Sequence, residues 1–431
     1  MTPAARVSGA IDLLAALADQ PRRPADAIAH DFFRARRYIG GGDRRAVSDL
    51  AWGAVREHAR LVWWLRRSGV EPTPRLMVLA HLVLIERRAP GAIFSGERYA
   101  PAALTAAETA VAEALRGQDL LHPAMPLAAR LNLPEWALPG LEERFGDALP
   151  REAEALSGTA PLDLRVNLLK GTRDTALAAL AGEGILAEPA PFSPWGLRIA
   201  GRQPISSAKA YQSGLIEVQD EGSQLIAAVT GAKPGMRVAD LCAGAGGKTL
   251  ALAMTMANKG RITACDVSAP RLSGAARRFA RAGVDNAETH LLEHGDRWAK
   301  RRAQQFDRVL VDAPCTGTGT WRRNPDARHR MGAEDLRELA AKQHEILAIG
   351  AELVKPGGLL VYATCSLLPE EDERQVDNFL AAHPAFSVLP LASAWEQAGL
   401  PGAPPGEGPY LVMTPARHGT DGFFAAVMRR G

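Results

Sequence analysis

Cysteine is scarce in this chain, with four in 431 residues. They stand at 242, 265, 315 and 365, and no two have the C-x-x-C spacing of a structural zinc site. A metal centre is not expected. Long apolar runs are missing too, since none approaches the roughly 18 residues that cross a bilayer. The opening residues, MTPAARVSGAIDLLAAL, lack the basic region, apolar core and small-residue cleavage site of a secretory signal, and read as an amphipathic helix. These absences point to a cytoplasmic protein with no membrane partner. In that compartment disulfides are disfavoured, and a cysteine is either buried or chemically employed. The charge imbalance is slight, 51 Lys and Arg against 48 Asp and Glu for a net +3, so overall charge excludes no class of partner.

What is present suits a globular protein: 47% hydrophobic and 23% charged residues, in a length that allows two or three domains. Residues 1–125 read as helix throughout. In GGDRRAVSDLAWGAVREHARLVWWLRR the apolar Val47, Leu50, Ala51, Ala54 and Val55 fall on one helical face with arginines opposite, and Asp43 is the expected N-cap. This region suits a helical binding or docking module. Prolines in LLHPAMPLAARLNLPEWALPGLEERFG signal a junction. Residues 126–210 then read as a linker and a small α+β domain, with strands over 162–168, 185–189 and 196–200 and a helix over 173–182. Such a sheet can present a face to RNA, and the same pattern equally suits an added layer without RNA contact.

Residues 211–431 alternate strand and helix, which predicts a mostly parallel, doubly wound α/β sheet of Rossmann-like type. Strands are expected at 237–242, 261–266, 287–292, 306–312 and 358–365, followed by a helix over 370–382 and a closing strand in DGFFAAVMR. Ligands of such folds sit beyond the carboxyl ends of the strands. Cys242, Asp266, Asp312 with Cys315, and Cys365 all fall there. Of the basic clusters, those at 34–37, 276–281 and 300–302 suit solvated helix faces. Arg322, Arg323, Arg328 and Arg330 differ because they directly follow the loop of Cys315, and Arg322 and Arg323 are expected to grip a phosphate backbone.

VADLCAGAGGKTLALA is a strand, a glycine loop and a helix start. A phosphate-binding loop is excluded in its usual form, because the glycine required five residues before Gly247 is Cys242. The dinucleotide fingerprint fits imperfectly, since the spacing is Gly-x-Gly-Gly. What fits is acidic-x-x-x-Gly-x-Gly, with Asp240, Gly244 and Gly246, which resembles the nucleoside loop of S-adenosylmethionine-dependent methyltransferases. Asp266, about 20 residues on, is placed to hold ribose hydroxyls. Cys265 reads as a core residue and Cys242 as a small filler. Cys315 and Cys365 each follow an apolar strand and precede a polar turn, where a thiolate is favoured. Beside a methyl donor, a thiol suits cytosine C5, a poor nucleophile until a thiolate adds at C6. Asp312 is placed to assist at the N3 and amino edge of the base. Exocyclic-amine methylation uses a related loop with an aromatic residue at the place of Cys315, so the pattern favours carbon over nitrogen.

With DLCAGAGGKT, DAPCTGTG, YATCS and the terminal DGFF in one chain, the sequence resembles the RNA 5-methylcytosine methyltransferases of the Sun/RsmB type over almost its full length. The resemblance implies a class I methyltransferase domain, a preceding segment like RVNLLK, and a NusB-like RNA-binding N-terminal domain. It implies Cys365 as the nucleophile at C6 and Cys315 as the residue that assists product release. It also implies a cofactor site lined by Cys242, Ala243, Gly244, Ala245, Gly246, Gly247, Lys248, Asp266 and Asp312, with an acid after the third strand, Asp296 or alternatively Glu293. The chain departs in carrying Gly244–Ala245 where Ala-Pro is common. The implied substrate is small-subunit ribosomal RNA, and a monomer is expected. A transfer RNA substrate, or a ribosome assembly factor that binds RNA without catalysis, are the alternatives.

Overall fold

The computed structural model describes all residues except Ala200, Arg202 and His294. The chain forms two compact units: residues 1–158 with 321–332, and residues 159–320 with 333–431. Among the described residues no helix is long and apolar enough to cross a membrane.

The first unit is helical. Its helices begin where capping predicts: Thr2 accepts from Ala5 N–H before Pro3–Ala18, Thr73 precedes Pro74–Leu84, and Thr105 with Glu108 makes a reciprocal capping box for Ala106–Leu115. In Pro74–Leu84 every residue from Leu76 onward is buried, so this helix is the centre of the unit. Asp43 is not an N-cap. The helix Gly41–Arg56 starts after Gly40, and Asp43 lies in its first turn with its carboxylate on Arg6 Nε at 2.8 Å.

Helical packing extends past the expected boundary at 125 to Gly158. The prolines punctuate short helices without ending the unit, because polar ties hold them to it. Asn132 Oδ1 accepts from Ala59 N–H at 3.1 Å, and the Arg60 guanidinium donates to the Arg130 carbonyl at 3.0 Å.

The second unit contains two sheets. Strands β1 (Leu162–Val166), β2 (Ala187–Pro189), β3 (Gly196–Ile199) and β4 (Ile216–Val218) pair antiparallel in the order β2-β3-β1-β4. β4 lies beyond the expected domain boundary at 210, yet it joins this sheet by pairing Leu164 with Val218. The larger sheet, eight-stranded among the described residues, holds β5 (Arg237–Asp240), β6 (Arg261–Asp266), β7 (Ala287–Leu291), β8 (Phe306–Asp312), β9 (Val354–Thr364), β10 (Phe386–Val388), β11 (Leu411–Met413) and β12 (Phe423–Arg430). Its path is β10-β12-β9-β8-β5-β6-β7. β5 to β9 run parallel, while β12 pairs antiparallel with β9, β10 and β11. Alternate residues face separate cores: Val238, Leu310 and Val361 on one side, Ala239, Val311 and Tyr362 on the other. Strand order reverses between β5 and β8, which opens the ligand crevice at their carboxyl ends. This is a class I methyltransferase fold.

Candidate functional site

The glycine loop joins β5 to the helix Gly247–Thr255. Gly246 sits at φ +78°, and a Cβ there would lie 2.6 Å from Phe279 Cε1, so both backbone and packing require glycine. Asp240 at the end of β5 is fully buried, with Oδ2 accepting from Thr249 Oγ1 at 2.7 Å and Oδ1 lacking a hydrogen-bond partner among the described residues. Burial raises its pKa to about 7. The Thr249 bond opposes this, the Asp312 charge adds to it, and the Lys248 charge opposes it.

Asp266 ends β6, and its two oxygens accept from Gly244 N–H and Ser268 N–H, each at 2.8 Å. Half of its acceptor capacity remains. Asp312, ending β8, pairs with Lys248 Nζ at 2.6 Å, with side-chain exposures of 29% and 10%. Burial works to lower the Lys248 ammonium, but the Asp312 charge and hydrogen bond outweigh it and hold the group above its ordinary value. The same ammonium lies 5.9 Å from the Phe423 ring centroid.

Cys315 and Cys365 follow the neighbouring parallel strands β8 and β9, and their sulfurs are 3.4 Å apart. The hydrogen bond with Cys365, then burial, pushes the Cys315 thiol well up. The loops of the two cysteines are tied by Gly319 N–H to the Cys365 carbonyl at 3.0 Å. Gly319 also meets Gly422 of the DGFF turn backbone to backbone, where an added Cβ would fall 2.3 Å from the Gly422 carbonyl oxygen. Cys242 is half-buried and Cys265 fully buried; burial, with Asp240 beside each, pushes both thiols up.

The other expected residues are more scattered. Ala243, Gly244 and Gly247 are half-buried and Ala245 is exposed along the glycine loop. Asp296 is exposed and already engaged, with His290 Nε2 at 2.6 Å and Trp298 N–H at 2.8 Å. The His290 bond holds its carboxyl below the usual range. Glu293 is also exposed. Arg322 and Arg323 belong to the helical unit, where Arg322 is buried and Arg323 half-buried, so the expected solvated arginine rim is not what the loop builds. Arg328 is wholly interior: its guanidinium donates to the carbonyls of Asn132 at 2.8 Å and Leu156 at 3.0 Å and to Ser157 Oγ at 3.2 Å.

Arg165 carries no motif in the sequence, yet its buried guanidinium donates from β1 to the Gly247 carbonyl at 2.7 Å and bonds Gln219 Oε1. Gln343 and Glu371, likewise not among the expected site residues, lie behind the Cys315 loop. For Glu371 the signal was there to read, in the acid pair of YATCSLLPEED.

Asp240, Asp266 and Asp312 stand around the glycine loop, where Lys248 pairs with Asp312 and the Arg165 and Arg278 guanidiniums donate to the Gly247 and Ala245 carbonyls, each at 2.7 Å. The spare acceptor capacity of Asp266 beside this loop suits the ribose hydroxyls of a nucleoside. That fits the nucleoside part of S-adenosylmethionine, the cofactor.

Comparison with known proteins agrees. The family described as 16S rRNA methyltransferase RsmB/F matches residues 228–429. A second family, the ferredoxin-like domain of RsmF/B-like methyltransferases, matches residues 133–206. Ribosomal RNA small subunit methyltransferase B of Photorhabdus laumondii is 33% identical over 294 residues, 68% of this chain and 65% of that protein. Its namesake in Salmonella arizonae is 30% identical over 394 residues, 86% of this chain and 90% of that protein. The crystal structure of PH0851 matches 100% of this chain and 99% of its own, with a TM-score of 0.79 and 26% identity. The glycine loop, the paired cysteines and these likenesses together make the chain a member of the Sun/RsmB family, the RsmB/F 16S rRNA methyltransferases.

Proposed function

We propose that this protein methylates C5 of a cytosine in 16S ribosomal RNA, with Cys365 as the attacking thiolate. The observation that carries the reading is the 3.4 Å separation of the Cys315 and Cys365 sulfurs beside the Lys248–Asp312 pair. A single thiol is enough for attack. A second one in contact with it has a use in a cycle that must also break the covalent bond.

The target base enters unpaired or flipped. The Asp312 carboxylate accepts from its exocyclic amine, and the Lys248 ammonium donates to the acceptor edge of the ring. As the Cys365 thiolate adds to C6, these groups stabilise the charge that moves onto the ring and C5 becomes enamine-like. S-adenosylmethionine supplies an electrophilic methyl group on a sulfonium. Once C5 carries the methyl, it loses its proton to solvent, the C5=C6 double bond re-forms, and the S–C6 bond breaks with its electron pair returning to Cys365. The Cys315 S–H donates a hydrogen bond to that departing thiolate. The glycine loop and Asp266 hold the cofactor, with Asp296 as the acid after the third strand. The helical unit, the small sheet and Arg323 contact RNA.

Methyl transfer from labelled cofactor to 16S RNA tests this. Cys365→Ala is expected to abolish transfer, and Cys315→Ala to accumulate a protein–RNA adduct that survives denaturing gels. An adduct from Cys365→Ala instead would reverse the two roles, and full activity of that variant would end the reading.

A further inference from the structure

Behind the two cysteines lies a turn that neither cofactor nor base contacts explain. Residues 371 and 372 are consecutive carboxylates, Glu371 and Asp372, both with 0% of their surface exposed. Glu371 Oε1 accepts from Thr316 N–H at 2.9 Å and Gln343 Nε2 at 3.0 Å, and its Oε2 accepts from the Thr316 hydroxyl. Gln343 Nε2 also donates to the Pro314 carbonyl at 2.9 Å. The residues on both sides of Cys315 are therefore fastened to one buried carboxylate and its amide partner. Asp372 treats the other cysteine likewise, with its Oδ1 accepting from Thr364 Oγ1, the residue before Cys365, at 2.5 Å. The turn itself is pinned by Tyr362 OH on the Glu371 carbonyl at 2.5 Å.

We infer that Glu371 is a positioning residue that fixes Cys315 against Cys365 and sets which thiol attacks and which attends product release. A buried carboxylate is costly unless it is fully hydrogen-bonded, and a Thr–amide pair could have tied the loop without charge. The charge has a consequence for its neighbour. It opposes ionisation of Cys315, adding to the effect of the Cys365 hydrogen bond and of burial. Cys315 is thereby kept as the S–H donor, and the thiolate is left to Cys365. Burial pushes the Glu371 carboxyl up, against the hydrogen bonds of Ser366, Thr316 and Gln343 that favour its ionised form.

The inference rests on the proposed cysteine roles, so its test must fail separately from theirs. Glu371→Gln keeps the shape and removes the charge; Thr316→Val removes one hydrogen bond and keeps the carboxylate, which guards against a Gln variant that does not fold. In the full-length enzyme, Glu371→Gln is expected to lower kcat on 16S RNA by up to about 100-fold, the cost of a misplaced catalytic group, with KM for RNA little changed. Adduct should accumulate on denaturing gels, less strongly in Thr316→Val. Because Glu371 acts through Cys315, the variant combining Glu371→Gln with Cys315→Ala should be no slower than Cys315→Ala alone. A merely structural role would make the two losses add. Without any RNA, iodoacetamide labelling read by mass spectrometry should favour Cys365 over Cys315 in the natural protein, and Glu371→Gln should raise labelling of Cys315 several-fold. A folded Glu371→Gln with natural kcat and unchanged labelling order would overturn the inference. If Cys315→Ala gives no adduct, the release role falls, and the labelling ratio still decides the position of Glu371.

Discussion

Asp240 offers the sharpest physical test of the cofactor site. Its pKa rises from 3.8 to about 7 in the folded protein, chiefly through burial. The difference is about 3 units, each worth about 1.4 kcal/mol, so ionising this group costs about 4 kcal/mol of folded stability. The sign follows from proton binding. Below pH 4 both states carry the proton and no cost arises. As pH rises the unfolded chain ionises first, the folded state retains its proton, and stability falls until the folded group also ionises near pH 7. Asp240→Asn keeps the shape and a partner for Thr249 Oγ1 but cannot ionise. Urea unfolding at pH 5, 6, 7 and 8 should show the variant gaining on the natural protein by about 3 kcal/mol across that range, from the roughly 2 units still to be crossed above pH 5. The cationic cofactor stabilises the ionised form, so its binding near pH 6 should release a proton, seen by calorimetry in buffers of different ionisation enthalpy. Asp240→Asn should bind more weakly and release none. Parallel pH profiles and equal proton release would refute the argument, and would mean that the Thr249 bond and the Lys248 ammonium overcome burial and keep Asp240 charged in the free protein.

Gly246→Ala places a Cβ 2.6 Å from Phe279 at φ +78°, so S-adenosylmethionine affinity should fall at least about tenfold by calorimetry, from a left-handed penalty of about 1–2 kcal/mol plus displacement of the loop; unchanged affinity would show that the loop gives way freely. Arg328→Met leaves the carbonyls of Asn132 and Leu156 unsatisfied in the helical unit and should destabilise it by about 3 kcal/mol. The check is hydrogen exchange, which should quicken in the helices Leu127–Leu131 and Leu149–Ser157.

Much of the sheet was legible because β5, β6, β8 and β9 are largely buried on both faces and read as apolar runs, whereas β7, AETHL at the sheet edge, has no buried residue. β5 to β8 lie within two residues of their expected limits at both ends, and β9 starts four residues earlier, through KPGG. The three-residue strands β4, β10 and β11 were not legible, since they exist through their partners more than through their own residues. The arginine loop misled for a related reason. Arg322 and Arg328 sit in a polar, basic stretch that reads as solvated, and nothing local foretells that Arg328 donates to a carbonyl 196 residues away. The same limit hid Gln343, which touches the Cys315 loop only because the helix Ala333–Leu353 packs beside it.

For the cysteines, sequence and structure contribute different steps. The motifs place each thiol just past the end of a strand, but strand ends spread over a whole sheet edge. What joins them is that β8 and β9 are adjacent and pair with Asp312 opposite Ala363. Cys315 lies three residues beyond the first position and Cys365 two beyond the second, so each sulfur is reached through a loop of only a few residues. A shift of one residue in that register would turn alternate side chains to the opposite face. It would move Asp312 away from Lys248 and part the sulfurs together. The ion pair and the thiol contact are therefore two readouts of a single register, and a variant that disturbs it should lose both.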